Sequence, residues 1–224
     1  MSSQLDYPPR LKLARIPTPL QLLPRASKRW GAGKRLWMKR DDLTGSALTG
    51  NKIRKLEFIA AHALEQGLST LVTCGGVHSN HCRATALVAA QLGLDCHLVL
   101  RADDEPEQHT GNFLLDQLAG ASYEIWPAGE WAGNLKKIYA RLESEFKASG
   151  RPALMIPTGG SDSLGVWGYI AAAEELRWDL EERRIERAAL TLATGSAGTQ
   201  TGLSAGVAIF DLPLQVIGYA VCDD

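Results

Sequence analysis

The sequence lacks the features that mark several common classes of protein. No apolar run approaches the length of about 18 residues that a membrane-spanning helix needs, and residues 1–17 lack the apolar core of a secretory signal. The net charge of the 224 residues is −1, so no excess of positive charge indicates a nucleic acid or an anionic membrane as partner. These absences predict a cytoplasmic protein whose partners are small molecules.

Cysteine is scarce and its spacing is uninformative. The chain has four cysteines, none in a C-x-x-C pair, and 45% of its residues are hydrophobic, so we expect a core that needs no disulfides and thiols that are reduced and buried. Two histidines lie near the first two cysteines, but the spacing fits no standard zinc site, and adjacent His81 and Cys82 cannot easily converge on one ion. We therefore predict no metal. The residues concerned are Cys74, His78, His81, Cys82, Cys96 and Cys222.

The signatures of triphosphate and dinucleotide binding are also absent. In "ATGSAGTQTGL" (193–203) no lysine follows the glycines, and the spacing is not G-x-G-x-x-G. Gly195 and Gly198 would still let backbone N–H groups approach an anion at a helix N-terminus, where Ser196 and Thr199 add hydroxyl donors. The stretch predicts a site for a single phosphate, with a tight turn that packs a helix on a strand as the alternative.

Strands and helices alternate along the rest of the chain. Hydrophobic runs predict strands at 70–74, 96–101, 122–127, 153–157, 187–194 and 214–220, with helices between them. The proline-rich first forty residues predict mainly connections, and 35–43 predicts a short strand that runs into a turn. This order predicts an α/β fold with a parallel sheet, helices on both faces and Gly-rich loops at the carboxyl ends of the strands. The chain ends four residues after the last strand, so we expect the layout to be incomplete.

The stretch "TGNKIRKLEF" (49–58) places three cations in the first turn of a predicted helix. Asn51 is a suitable N-cap, and an apolar stripe follows at helical spacing, formed by Leu56, Ile59, Ala60, Ala63 and Leu64. Cations at a helix N-terminus are unfavourable. Lys52, Arg54 and Lys55 therefore form either a tolerated surface cluster or a setting that lowers the pKa of one lysine, whose neutral amine could form a Schiff base.

Two further Gly-rich junctions carry polar side chains. In "CGGVHSNHCRA" (74–84), Ser79, Asn80 and His81 offer a hydroxyl, an amide and an imidazole, although Ser79 could be a plain N-cap. In "PTGGSDSLGVWGY" (157–169), Gly160 and its neighbours could line a pocket or form an ordinary loop. A reactive lysine together with a site for one phosphate matches the requirements of pyridoxal phosphate.

Four stretches in the same order resemble one family: "RDDLTGSALTGNKIRKLEF", "CGGVHSNHCRATA", "IPTGGSDSLGVWGY" and "TGSAGTQTGL". They are similar to the D-cysteine desulfhydrase/1-aminocyclopropane-1-carboxylate deaminase family, whose members are pyridoxal-phosphate-dependent and have a tryptophan-synthase-β-like fold. The resemblance implies a three-layer α/β/α architecture with parallel sheets and two domains. A smaller domain (53–158) would be inserted into a larger cofactor-binding domain (1–52 and 159–224) that is truncated at its C-terminus.

The resemblance also implies roles for single residues. Lys52 would bind the cofactor covalently and act in catalysis, and Asn51 precedes it as in the family. Asn80 would bond the ring hydroxyl, and Ser79 would be the second catalytic residue. The phosphate would bind at Gly195, Ser196, Ala197, Gly198 and Thr199, and the substrate at Ser79, Asn80, His81 and Gly160.

The implied activity is that of a lyase. "SNH" and "GGSDSLG" look more like D-cysteine desulfhydrases, which release pyruvate, ammonia and hydrogen sulfide, whereas the deaminases tend to carry "SNQ". The alternatives are opening of the cyclopropane amino acid and a non-catalytic remnant of the fold. A nucleotide-binding α/β protein is disfavoured by the missing phosphate signatures. The resemblance further suggests a homodimer.

Overall fold

The computed structural model describes residues 5–45, 47–104, 106 and 108–222. In this part of the chain the strands are β1 (Leu20–Leu22), β2 (Trp37–Lys39), β3 (Thr70–Gly76), β4 (Asp95–Arg101), β5 (Ser122–Trp126), β6 (Ala153–Met155), β7 (Ala188–Thr194) and β8 (Leu214–Ala220). The α-helices are α1 (Pro24–Trp30), α2 (Lys52–Glu65), α3 (Asn80–Leu92), α4 (Gly111–Leu118), α5 (Ala128–Ala148), α6 (Trp167–Arg183) and α7 (Gly198–Ile209). Single 3₁₀ turns lie at Asp41–Leu43 and Thr158–Gly160.

The largest sheet is parallel throughout and has the strand order β5-β4-β3-β6. Side chains alternate between its faces along each strand. Leu71 and Leu98 pack into a core with α2, α3 and α4 on one face, while Val72 and Val99 pack against α5 on the other. The predicted three-layer α/β/α arrangement with a parallel sheet is therefore confirmed.

A second parallel pair, β7 and β8, packs against α6 and α7 through Leu190 and Leu192. Small residues let the two helices approach closely. A Cβ atom at Gly202 would lie 2.5 Å from the Val166 carbonyl oxygen, and one at Gly206 would lie 2.4 Å from the Ala173 Cβ. The approach of α6 and α7 matters for function because α7 begins at the predicted phosphate loop.

The first forty residues contain more structure than the sequence predicted. β1 and β2 form an antiparallel pair, and α1 begins with Pro24 in its first turn. Proline is well suited to the first turn of a helix, where its missing N–H has no intrahelical acceptor. A second correction concerns Gly75 and Gly76, which were expected to end the preceding strand but are its last two residues.

Helix α2 occupies the centre of the molecule and is buried on nearly all sides. Ile59 and Ala63 belong to the core that covers the large sheet, whereas Ile53 and Ala60 pack into a separate cluster with α3 and the N-terminal segment. The predicted apolar stripe is correct except for Leu64, which is 41% exposed. Because α2 is buried on nearly all sides, polar residues of this helix are buried as well.

Arg54 shows that the basic residues of α2 are not a surface cluster. Its side chain is fully buried, and its guanidinium pairs with Asp41 (Nη2–Oδ1, 2.8 Å) and Glu175 (Nη1–Oε1, 2.7 Å). Tyr169 donates a further hydrogen bond to Asp41 Oδ2 at 2.7 Å. Burial alone would raise the pKa of Asp41, but the nearby Arg54 charge and the hydrogen bonds outweigh it and hold that pKa below its usual value.

The four cysteines are free thiols, and three of them are buried as expected. Cys222 is exposed, so the expectation of buried thiols is wrong for this residue. It follows the end of β8, where the chain has left the hydrophobic core. Among the described residues, no helix has the length and apolarity needed to cross a membrane.

Candidate active site

Three helix N-termini and the loop after β6 meet around one cavity of about 270 Å³. The helices are α2, α3 and α7, and each begins with one of the stretches singled out in the sequence. Because all three follow Gly-rich or polar loops, backbone and side-chain donors converge here from distant parts of the chain. The lining residues are Asn51, Lys52, Ser79, Asn80, His81, Thr158, Gly159, Ala193, Thr194, Gly195, Ser196, Ala197, Gly198, Thr199, Gln200 and Cys222.

Lys52 is the first residue of α2 and projects into this cavity. Burial lowers the pKa of its amine, and a nearby Cys222 thiol opposes that shift. Asn51 precedes the helix but makes no side-chain capping bond. Its Nδ2 instead donates to Thr199 Oγ1 at 3.3 Å, so the predicted N-cap role is corrected to a link between the starts of α2 and α7.

Lys55 is a second buried lysine beside the cavity, which the sequence did not single out as a site residue. It is 1% exposed, and its Nζ donates to the Gly159 carbonyl at 3.1 Å and to Ser161 Oγ at 3.2 Å. Burial and the charge of Lys52 lower the pKa of Lys55 to about 7. Its position three residues after Lys52 was the available signal, because residues at this spacing share one face of a helix.

The loop between β7 and α7 has the shape of an anion cradle. Ala197 adopts a left-handed conformation with φ 60°, which is uncommon for residues other than glycine. A Cβ atom at Gly198 would lie 2.4 Å from Ser161 Oγ and 2.7 Å from Lys55 Nζ, so only glycine fits there. The first turn of a helix has N–H groups without intrahelical acceptors, and those of α7 border the cavity.

Ser79 is both a helix N-cap and a residue of the cavity wall, the two roles that the sequence left as alternatives. It is the N-cap of α3, because its Oγ accepts hydrogen bonds from the backbone N–H groups of His81 and Cys82, each at 3.2 Å. It also lines the cavity. Since the oxygen acts as acceptor in both bonds, the hydroxyl proton is free to be donated to another group.

His81 lies 2% exposed on the cavity wall. Among the described residues, neither of its ring nitrogens has a hydrogen-bond partner. Burial, with the charges of Lys52 and Lys55, lowers its pKa to about 3, so the ring is neutral at physiological pH. Gly160 lies close to His81, since a Cβ atom there would be 3.2 Å from His81 Cε1, but its neighbour Gly159 is the residue that lines the cavity.

A second depression of about 240 Å³, lined by residues such as Arg177, Glu181 and Phe210, contains neither a lysine nor a glycine loop. Within the described part of the chain, no group of three His, Cys, Asp or Glu side chains could hold a metal ion. The cavity at the helix N-termini is therefore the site with the clearest chemistry, a buried amine beside an anion cradle.

Comparison with known proteins identifies relatives over nearly the whole chain. The chain is 40% identical over 225 residues to the mitochondrial bifunctional D-cysteine desulfhydrase/1-aminocyclopropane-1-carboxylate deaminase of Arabidopsis thaliana, covering 95% of this chain and 54% of that protein. It is 40% identical to a D-cysteine desulfhydrase of Klebsiella pneumoniae, covering 95% of this chain and 64% of that protein.

A solved structure gives the same result at the level of the fold. The crystal structure of an ACC deaminase homologue superimposes with a TM-score of 0.84 at 38% identity, covering 95% of this chain and 63% of that one. The chain thus spans between 54% and 64% of the length of these three relatives. A family model described as "Pyridoxal-phosphate dependent enzyme" matches residues 11–222. The chain belongs to this family of pyridoxal-phosphate dependent enzymes.

Proposed function

We propose that the complete protein is a pyridoxal-phosphate-dependent lyase that removes sulfide from D-cysteine. The observation that carries the proposal is the half-buried Lys52, with its lowered pKa, facing the cradle of residues 195–199 across one small cavity. An amine of this kind is suited to carbonyl chemistry, and the cradle to a single phosphate. Relatives with D-cysteine desulfhydrase in their names support the choice of substrate.

The residues of the cavity fit the cofactor. Gly195, Ser196, Ala197, Gly198 and Thr199 would hold its phosphate through backbone N–H groups and hydroxyls. Lys52 would bind its aldehyde carbon, and Asn80 would bond its ring hydroxyl. The absence of a Cβ at Gly198 supports this arrangement, because a side chain there would close the cradle onto Ser161 and Lys55.

The substrate would bind next to α3. The free hydroxyl proton of Ser79 suits a carboxylate oxygen, and the unpaired nitrogens of neutral His81 suit the polar groups of an amino acid. Gly160 would shape this end of the cavity through its contact with His81. A buried imidazole without a protein partner is costly, and a bound substrate would offset that cost.

When bound, the cofactor supplies an electron sink for the bond that breaks at the substrate Cα. The neutral amine of Lys52 would take the Cα proton, with the Ser79 hydroxyl as the other group able to move a proton there. The net reaction converts D-cysteine and water into pyruvate, ammonia and hydrogen sulfide.

A second candidate function is opening of 1-aminocyclopropane-1-carboxylate to 2-oxobutyrate and ammonia, because relatives carry this name as well. His81 favours D-cysteine, since the stretch that contains it resembles the desulfhydrase form. A third alternative is a remnant that keeps the fold without turnover.

We also propose the division into a smaller domain (53–158) and a larger one (1–52 and 159–224), with the cofactor between them. Support comes from the cavity, which takes Ser79 and Asn80 from the first segment and residues 195–200 from the second. We further propose a cytoplasmic homodimer. The four free thiols suit a reducing compartment, and light scattering after size-exclusion chromatography tests the assembly.

The first experiment measures the visible absorption of the purified chain with pyridoxal phosphate, then reduces it with borohydride and maps the labelled peptide by mass spectrometry. We expect an absorption band from lysine-bound cofactor and a label on Lys52. Lys52→Ala should remove the label. The matched variant Lys55→Met should keep the label on Lys52. Its affinity for pyridoxal phosphate should fall, because the amine beside the cradle is lost.

A label on Lys55 would contradict the assignment of Lys52. A folded chain without any label would favour the remnant. If the label is found on Lys52, release of sulfide and pyruvate from D-cysteine, compared with 2-oxobutyrate from the cyclopropane amino acid, decides between the two substrates.

A further inference from the structure

A network of hydrogen bonds connects Arg83, through Asn112, to Asn80 at the cavity wall. Asn112, in the first turn of α4, donates through Nδ2 to the His78 carbonyl at 2.7 Å and to Asn80 Oδ1 at 2.9 Å. Arg83, one turn into α3, donates through Nη1 to Asn112 Oδ1 at 3.4 Å. These contacts join the starts of α3 and α4 beside the cavity.

The Arg83 guanidinium and the His78 carbonyl fix which atom donates and which accepts in every bond of this network. A guanidinium can only donate, so the group of Asn112 that faces Arg83 must be its carbonyl oxygen. A backbone carbonyl can only accept, so the group of Asn112 that faces His78 must be its amino group. Both ends therefore require the same orientation of the Asn112 amide.

The orientation of Asn112 then determines that of Asn80. Because the Asn112 amino group faces Asn80, the Asn80 oxygen must be the atom that receives the bond. The Asn80 amino group is left to face away from Asn112. Asn80 lines the cavity, so the group that it can present there is a donor.

We infer that Arg83 and Asn112 are positioning residues that fix the Asn80 amide so that it presents N–H, not C=O, to the cavity. This inference rests on the proposed function, in which the facing group is the ring oxygen of pyridoxal phosphate. A donor stabilises that oxygen in its deprotonated form, whereas a carbonyl there would repel it. An isolated asparagine could adopt either orientation.

Arg83 makes a second contact, with the segment that leads to Lys52. Its Nη2 donates to the Thr49 carbonyl at 3.1 Å, three residues before Lys52. The same guanidinium therefore holds the segment that leads into α2 and the amide that orients Asn80. Loss of Arg83 should disturb both groups, whereas a change at Asn112 should leave the bond between Arg83 and Thr49 in place.

The test compares Asn112→Asp with the wild-type chain for two ligands, pyridoxal phosphate and its analogue without the 3-hydroxyl group. An aspartate can accept from Arg83 but cannot donate to Asn80 or His78. We expect the preference of the chain for pyridoxal phosphate over the analogue, measured as the ratio of dissociation constants, to fall by roughly tenfold, the value of one lost charge-assisted bond. The added negative charge also repels the deprotonated ring oxygen, which the analogue lacks, and the Asn80→Ala background measures this contribution separately.

Two controls separate positioning from general damage. Asn134→Asp changes an asparagine on α5 whose Nδ2 donates an exposed hydrogen bond to the backbone oxygen of Glu130, and the ratio should stay at its wild-type value. In an Asn80→Ala background, Asn112→Asp should change the ratio much less, because the direct charge effect remains but the effect through Asn80 is lost. An unchanged ratio in Asn112→Asp, or an equal change in both backgrounds, would overturn the inference.

A measurement without cofactor keeps the inference independent of the proposed function. In the apo chain labelled with ¹⁵N-asparagine, we expect slow hydrogen exchange for the Asn112 side-chain amide, whose two protons are bonded, and fast exchange for that of Asn80. Arg83→Met should speed up the Asn112 exchange. The reverse pattern, with Asn80 protected, would refute the orientation, whereas failure of the chain to bind cofactor would refute only the proposed function.

Discussion

Arg54 is the single side chain on which the junction between α2, α6 and the Asp41 turn most depends. Replacing it with alanine removes the cation paired with Asp41 and leaves Glu175, which is 6% exposed, paired with Lys39 at 3.2 Å but no longer with a guanidinium. We expect Arg54→Ala to lower the free energy of unfolding by about 3–5 kcal/mol. Urea unfolding followed by circular dichroism measures this change.

Arg151 provides the matched control. It pairs with Asp95 at 3.5 Å, and both side chains are 55% exposed, so Arg151→Ala should cost no more than about 1 kcal/mol. Arg54→Lys should fall between the two, because lysine keeps the charge but cannot bond two carboxylates with one planar group. Equal losses of unfolding free energy in all three variants would contradict the prediction that a buried ion pair costs more to break than an exposed one.

Asp116 should make stability depend on pH. It is 1% exposed, neither carboxylate oxygen has a hydrogen-bond partner among the described residues, and burial raises its pKa from 3.8 to about 7, opposed by Arg83. Between these values the unfolded chain has lost the proton that the folded chain keeps. Folded stability should therefore fall as pH rises from about 4 to about 7, by up to roughly 4 kcal/mol.

The measurement is the difference in unfolding free energy between Asp116→Asn and wild type across this range. Asparagine does not ionise, so the unfolding free energy of the variant should increase relative to that of the wild type as pH rises. A flat difference for Asp116→Asn would show that the buried carboxyl is not protonated at neutral pH.

The sequence located some of these residues but not their partners. Lys52 and Ser79 stood out because a reactive or capping side chain at a helix start leaves a local pattern. Lys55 and Asp116 did not, because their properties come from burial and from residues far along the chain. Lys55, for example, faces Gly159 and Ser161, more than 100 positions away.

Among the secondary-structure elements, α2 and α6 make the contact that fixes the start of α2. A Cβ atom at Gly168 would lie 2.3 Å from the Arg54 carbonyl oxygen and 2.7 Å from the Lys55 nitrogen, all backbone atoms that cannot turn aside. Although alanine favours helix over glycine, we expect Gly168→Ala to destabilise the chain by about 1–3 kcal/mol. Thermal and urea unfolding measure the effect.

Gly133→Ala tests whether the loss comes from the contact. Gly133 lies within α5, and no atom lies within 4 Å of the place where its Cβ would be. This variant should be more stable by up to about 1 kcal/mol, the intrinsic helix preference of alanine. If Gly168→Ala were stabilised to the same extent, α2 and α6 would not be as tightly packed as the structure indicates.

The helices and strands after residue 51 were predictable because hydrophobic runs alternate there with glycine-rich or polar loops. The short elements α1 and β1 were not, since seven and three residues give too little pattern to read, whereas the short strand predicted within 35–43 is present as β2. The near-complete burial of α2 was also missed. A helix with Arg54, Lys55 and Glu57 in one turn appears half-polar until the partners of these residues are known. Glu57, for example, accepts hydrogen bonds from Arg10 and from the backbone N–H groups of Leu13 and Ala14.

At the scale of the whole molecule, the alternation of strands and helices was enough to predict parallel sheets covered on both faces. The position of the cavity followed from the same principle, because loops at the carboxyl ends of parallel strands meet at one edge. The cavity's second lysine and the Arg83–Asn112–Asn80 chain did not follow, because side-chain contacts between helices leave no period in the sequence. The domain boundaries and the roles of single site residues stay predictions.

The bond between Asn51 and Thr199 has a consequence for the synthesis of this protein. The two residues are 148 positions apart, and the bond forms part of the cavity wall. A nascent chain can complete the four-stranded sheet once β6 has left the ribosome, but the phosphate cradle does not exist until α7 has followed it. From the synthesis of Lys52 until that of residues 195–199, the chain therefore carries the lysine without the loop that would hold a phosphate opposite it.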